Sequence, residues 1–118
     1  PVADGLLVSL VEGRGVLERT LKKIPGMFAG TQVTSSALGS ALTAAVKLIA
    51  PIGGKIIVVQ SSLPTVGEGK LSLRDDPKLY GTPKEGSLLQ PASPFYKGIA
   101  TEAQRHQVCI DTFFFPHP

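Results

Sequence analysis

Cysteine is nearly absent: a single residue, Cys109, in 118 leaves no internal disulfide to form. Two histidines, His106 and His117, leave little for a Cys/His metal cage, which argues against a metalloenzyme or a secreted disulfide scaffold. No apolar run approaches the roughly 18–20 residues that a bilayer span needs. The opening Pro1-Val2-Ala3-Asp4 shows no charged-then-apolar signal segment, so a cytoplasmic, reducing compartment is expected. Charge of one sign is scarce as well. Twelve Lys+Arg against nine Asp+Glu give +3, too weak and too scattered for the basic stripe of a nucleic-acid binder. What is present is 42% hydrophobic against 18% charged content, the balance of a globular chain of one domain or part of one.

Leu6-Leu7-Val8-Ser9-Leu10-Val11 is a nearly continuous apolar run of strand length, expected to be covered on both faces. Gly13-Arg14-Gly15 then reads as a turn. Val16, Leu17, Leu21, Ile24 and Phe28 recur at helical spacing, with Glu18, Arg19, Lys22 and Lys23 opposite, and Pro25-Gly26 should stop or kink this helix. After a polar stretch, Ser35 or Ser36 is a natural N-cap for a second helix carrying Leu38, Ala41, Leu42, Ala45, Val46 and Ile49, largely buried. Pro51 and Gly53-Gly54 end it. Lys55–Gln60, with four consecutive β-prone aliphatics, is the clearest strand. Residues 61–92 hold no sustained period, and a loop that long within a domain generally means a functional or partner-packed excursion. Ser93-Pro94 starts a third helix through Phe95, Ile99 and Ala103, and Val108–Phe115 is a last strand. Helix-linked buried strands imply a mainly parallel α/β sheet, and three strands are too thin a sheet to stand alone.

Several chemical constellations invite a reading, and each has a plainer one. Gly53-Gly54-Lys55 resembles a phosphate loop, but Ile56 follows where Ser or Thr is needed and the stretch enters a strand, so a turn is expected. Gly13 and Gly15 fit two positions of a dinucleotide fingerprint, yet the third is Glu18. His106 and Cys109 could form a thiolate–imidazole pair; a buried structural cysteine is the simpler expectation. Pro1 as a catalytic amine would need to be a true mature terminus lining a pocket. Arg14, Arg19, Lys22 and Lys23 fit an ordinary solvated helix face. Over residues 67–85, Lys70, Arg74, Lys78 and Lys84 balance Glu68, Asp75, Asp76 and Glu85, the pattern of a solvated, mutually paired loop or of an interface. No catalytic, cofactor-binding or metal-ligating residue is assigned. A small α/β nucleotide-binding or thiol enzyme using Lys55 or Cys109 remains the alternative class.

Several segments, in collinear order, are similar to one family. They are Leu6–Leu10 before Ile24-Pro25-Gly26-Met27-Phe28; Ser36–Leu42 with Ala44–Leu48; and Gly53–Ile56 through Gln60-Ser61-Ser62-Leu63-Pro64 to Gly67–Leu71. Asp76–Leu79, Gly81–Glu85, Phe95-Tyr96-Lys97 and Val108–Phe115 complete the set. Together they resemble the trunk domain of the cargo-adaptor subunit of the COPII vesicle coat, the Sec twenty-four family. The resemblance implies a partial von Willebrand factor A-like fold: a doubly wound, mainly parallel sheet with flanking helices, of which residues 1–118 are the later part. It implies no catalysis and no cofactor in these residues, with zinc expected only in a separate region of the parent protein. An Asp typical of metal-binding A domains is replaced by Gln60-Ser61-Ser62, so no metal-adhesion site is expected. The implied partners are the GTPase-activating subunit of the inner coat and the cytosolic tails of cargo proteins, with no nucleic acid. The implied location is the cytosolic face of the endoplasmic reticulum membrane and COPII vesicles, through peripheral association. Leu73, and the ending Phe113-Phe114-Phe115-Pro116-His117-Pro118, depart from the family pattern. Within the 61–92 loop, Arg74, Asp75, Asp76, Lys78 and Tyr80 are the interface candidates; the alternative is that this loop packs against another domain of its own chain.

Overall fold

The computed structural model describes residues 5–116, and the chain divides into two compact units, Pro1–Val33 and Thr34–Pro118.

The first unit is built on one helix, α1 (Leu10–Met27). The strand expected over Leu6–Val11 does not form: residues 7–9 are irregular and Leu10 is already helical. Local chemistry decides this. The Ser9 hydroxyl accepts a hydrogen bond from the Glu12 amide, as an N-cap does, and the Gly13 amide donates to the Ser9 carbonyl at 2.7 Å. Gly13-Arg14-Gly15 consequently lies inside the helix rather than in a turn, and Arg14 reaches Glu18 one turn on at 2.9 Å. Pro25 removes one helical donor without ending the helix, which runs two residues further before Phe28 caps it. None of its residues is buried.

The second unit is an α/β assembly. Helix α2 (Leu38–Ile49) leads through the Gly53-Gly54 turn into strand β1 (Gly54–Gln60). Both glycines have positive φ, 69° and 137°, where a side chain would be strained. Helix α3 (Phe95–Arg105) returns the chain through His106 and Gln107 to strand β2 (Val108–Phe114). The strands pair in parallel, Gly54 opposite Val108 through Gln60 opposite Phe114. The α/β class with a parallel sheet is therefore as expected, with two strands in place of three among the described residues. The N-cap of α2 is Ala37, not a serine. Ser36 is otherwise engaged: its hydroxyl accepts from the Gln60 side-chain amide at 2.8 Å, and its carbonyl accepts from Thr65 and Val66.

The core lies where α2 and α3 meet one face of the sheet. Val46, Ala103 and Val108 form its centre, with Ile49, Ile56, Ile99 and Ile110 packed around them. Along β1 the even positions point into this core and the odd ones away: Val58 is 8% exposed, whereas Ile57 and Val59 are 65% and 70% exposed. The two-sided burial expected of these strands is thus one-sided in this unit. Cys109 follows the same rule and is exposed rather than buried, because its strand position faces outward.

A candidate interface on the excursion

Between β1 and α3 the chain makes the long excursion, which contains two short 3-10 turns, Pro77–Leu79 and Glu85–Leu89. Its root is tied to the α/β unit. Gly67 and Gly69, both left-handed, bring the backbone against α2: the Glu68 amide donates to the Ser40 hydroxyl, and the Thr43 hydroxyl donates to the Glu68 carboxylate at 2.8 Å. On the other side the Tyr96 hydroxyl, on α3, donates to the Gly69 carbonyl at 2.8 Å. Partial burial of that phenol pushes its pKa above the usual tyrosine value. Beside this root lies an open cleft of about 410 Å³, mainly apolar, with Leu63, Leu71, Leu73, Arg74, Pro91 and Tyr96 among its walls.

The five interface candidates lie together and exposed on the outer part of the excursion. Tyr80 donates its hydroxyl hydrogen to the Asp75 carboxylate, and this bond is the main reason the Tyr80 pKa is raised. The Asp76 carboxylate accepts from the Lys78 amide at 3.0 Å and so caps the first 3-10 turn. Arg74 donates to the Leu88 carbonyl at 3.2 Å, which links the two ends of the outer loop. Glu85 accepts from the Gly81 amide at 2.9 Å. The expectation of mutually paired charges therefore needs correction: no salt bridge joins two charges of this loop among the described residues. A chain with little regular structure has amides and hydroxyls in need of acceptors, and the carboxylates are taken up by them. Lys70, Lys78 and Lys84 are left without an ion-pair partner among the described residues. Neither their sequence spacing nor the balance of charge reveals this asymmetry.

The other candidates separate. Lys55 and Asp111 form an ion pair of 2.8 Å on the outer face of the sheet. The hydrogen bond that the Lys55 ammonium donates to the Asp111 carboxylate, with the charge of that carboxylate, raises the Lys55 pKa and holds the group as an ammonium; a lysine nucleophile or base needs the opposite shift. His106 meets Glu102 at 3.1 Å across the last turn of α3 rather than Cys109. Gly53-Gly54 is a structural turn, with the Gly53 amide closing α2 on the Ile49 carbonyl. Among the described residues no three His, Cys, Asp or Glu side chains gather as metal ligands, and no helix is long and apolar enough to cross a membrane.

The family description Sec23/Sec24 trunk domain matches residues 1–118. The chain belongs to that trunk-domain family. Among curated relatives, the protein transport protein SEC24 of Podospora anserina is 54% identical over 115 residues, covering 98% of this chain and 12% of that protein. That of Yarrowia lipolytica is 51% identical over 115 residues, with the same two shares. The crystal structure of the human COPII-coat protein Sec24c superimposes with a TM-score of 0.86 at 36% identity, over 95% of this chain and 16% of that one. The chain thus spans about an eighth of the length of the relatives it matches. The resemblance read from the collinear segments holds at the level of the trunk-domain family.

Proposed function

We propose that these residues serve a COPII coat adaptor in cargo selection and coat assembly for transport from the endoplasmic reticulum to the Golgi, by protein–protein binding without catalysis. The observation that carries this reading is the outer excursion, whose carboxylates are held by backbone and hydroxyl donors while Lys78 and Lys84 have no ion-pair partner among the described residues. A rigid α/β unit presenting such a loop is built for recognition. Arg74, Asp75, Asp76, Lys78 and Tyr80 form the contact surface, with Asp75 and Asp76 shaping it and Arg74, Lys78 and Tyr80 touching the partner. The partners are the GTPase-activating subunit of the inner coat and the cytosolic tails of cargo. Work takes place on the cytosolic face of the endoplasmic reticulum membrane and its vesicles, with no cofactor in this stretch. Any zinc belongs to a separate region of the parent protein.

The test is a charge reversal in the full-length protein. Arg74→Glu combined with Lys78→Glu is expected to weaken binding to the GTPase-activating subunit or to cargo-tail peptides by roughly tenfold, with a reduced salt dependence. Unchanged affinity for both partners would mean that the excursion packs on its own chain, and the assignment would be dropped.

A further inference from the structure

The sequence contains two hydroxyl residues directly followed by proline, Thr82-Pro83 and Ser93-Pro94, and the structure treats them in opposite ways. Ser93 is half-buried at the start of α3, where its hydroxyl accepts from the Phe95 amide at 3.2 Å. Pro94 is already in the helical region, at φ −70° and ψ −13°. Presenting that dipeptide in extended form would unwind the first turn of α3. Thr82 is exposed in the bend between the two 3-10 turns, and Pro83 and Lys84 beside it are exposed too. Exposed segments of this kind, held by local bonds alone, are where modifying enzymes find purchase.

We propose that Thr82 is a phosphoacceptor for a proline-directed protein kinase. In the reaction the Thr82 Oγ1 forms a bond to the γ-phosphorus of ATP and the bond to the ADP oxygen breaks. The hydroxyl proton passes to the catalytic carboxylate of the kinase. The consequence follows from the bonds already made there. Thr82 Oγ1 donates to the Leu79 carbonyl at 2.7 Å and accepts from the Lys84 amide at 3.3 Å. Esterification removes the donor, so the side-chain bond to the Leu79 carbonyl is lost and only the Thr82 amide, at 3.2 Å, still reaches that oxygen. The dianion also arrives beside Glu85, whose carboxylate holds the Gly81 amide at 2.9 Å. Repulsion displaces Glu85 from the Gly81 amide, and the phosphate oxygens accept from that amide in place of Glu85 and from the Lys84 amide in place of the hydroxyl. Phosphorylation at this position therefore resets the outer excursion from within. The inference does not depend on which partner the excursion meets.

The experiment is incubation of the full chain with ATP and a proline-directed kinase, read by intact mass and fragment mapping. A single phosphoryl group on Thr82 is expected, lost in Thr82→Ala and in Pro83→Ala, retained in Thr82→Ser and unaffected by Ser93→Ala. In the phosphorylated chain the amide resonances of Gly81 and Lys84 should move while those of β1 and β2 stay in place. Phosphate on Ser93 in preference to Thr82 would overturn the inference. So would a chain that stays unmodified while a peptide of residues 76–88 is phosphorylated under the same conditions, because the bend would then be closed to the enzyme.

Discussion

Gly39 offers a stringent test of the packing, because two effects of opposite sign meet there. It lies near the start of α2, is buried, and has ordinary helical backbone. In an exposed helix interior, alanine in place of glycine stabilises by about 1 kcal/mol. Here a Cβ built on Gly39 would sit 1.9 Å from the Glu68 carbonyl oxygen, 2.7 Å from its carbon and 3.0 Å from the Phe95 ring. Reaching ordinary contact requires the excursion to retreat by about 1.5 Å, a backbone displacement rather than a rotamer change. Overpacking of this kind costs about 1–3 kcal/mol. The same retreat stretches the Glu68 amide bond to Ser40 and the Thr43 bond to Glu68, worth about 0.5–1.5 kcal/mol each and nearer the lower figure at this exposed edge. The clash outweighs the propensity, and Gly39→Ala is expected to destabilise by about 2 kcal/mol, with a Tm lower by roughly 10 °C. Gly98, in α3, is exposed with no heavy atom within 4 Å of a built Cβ, so Gly98→Ala should instead stabilise by about 1 kcal/mol. Urea and thermal unfolding of the two variants beside the parent chain measure both. A Gly39→Ala variant as stable as the parent, with Gly98→Ala stabilised as expected, would refute the close approach of α2 to the excursion.

Two further perturbations address the core and the excursion. Val46, at 2% exposure the most enclosed large side chain described, should cost about 2 kcal/mol on substitution by alanine, read as a lower urea midpoint with an unchanged slope. Tyr80 and Tyr96 both have raised pKa values, the first through Asp75 and the second through burial, so tyrosinate absorbance should develop above the pH of free tyrosine. Because the folded chain holds these protons more tightly, their stabilisation is complete below the ordinary tyrosine pKa and is lost as pH rises through the folded values. Asp75→Asn should bring forward one tyrosine's titration and leave the other, and two unmoved curves would remove the Asp75 bond.

The legible part of this fold is the part whose local signals agree. Apolar spacing, the Pro and Gly stops and the aliphatic runs mark α2, β1, α3 and β2 to within a residue or two. At the start of the chain they conflict. Leu6–Val11 is apolar enough for a strand, and run length cannot separate a buried strand from the entry to a helix. The deciding signal was present as Ser9-Leu10-Val11-Glu12, the spacing at which a serine caps a helix and a glutamate follows at its third position. In the excursion the charges were legible as composition but their pairing was not, since it depends on which amides the irregular backbone leaves without acceptors. Tyr80–Asp75 and Glu85–Gly81 belong to that three-dimensional arrangement.

The aliphatic run Ile56–Val59 carries the most instructive difference. Apolar residues at both parities of a strand imply cover on both faces, and the structure covers only the even one, with α2 and α3. The odd face shows a gradient: Lys55 and Asp111 pair at its amino-terminal side, while Val59 and Phe113 stand opposite each other and exposed toward its carboxyl end. An ion pair that keeps about half of each side chain in water suits a rim, and facing apolar residues suit a covered centre. Sequence pattern reports the surroundings in which a strand is maintained, and here it asks for cover that the odd face does not have among the described residues. Where pattern and exposure differ, at Ile57, Val59 and Phe113, the pattern carries the additional information.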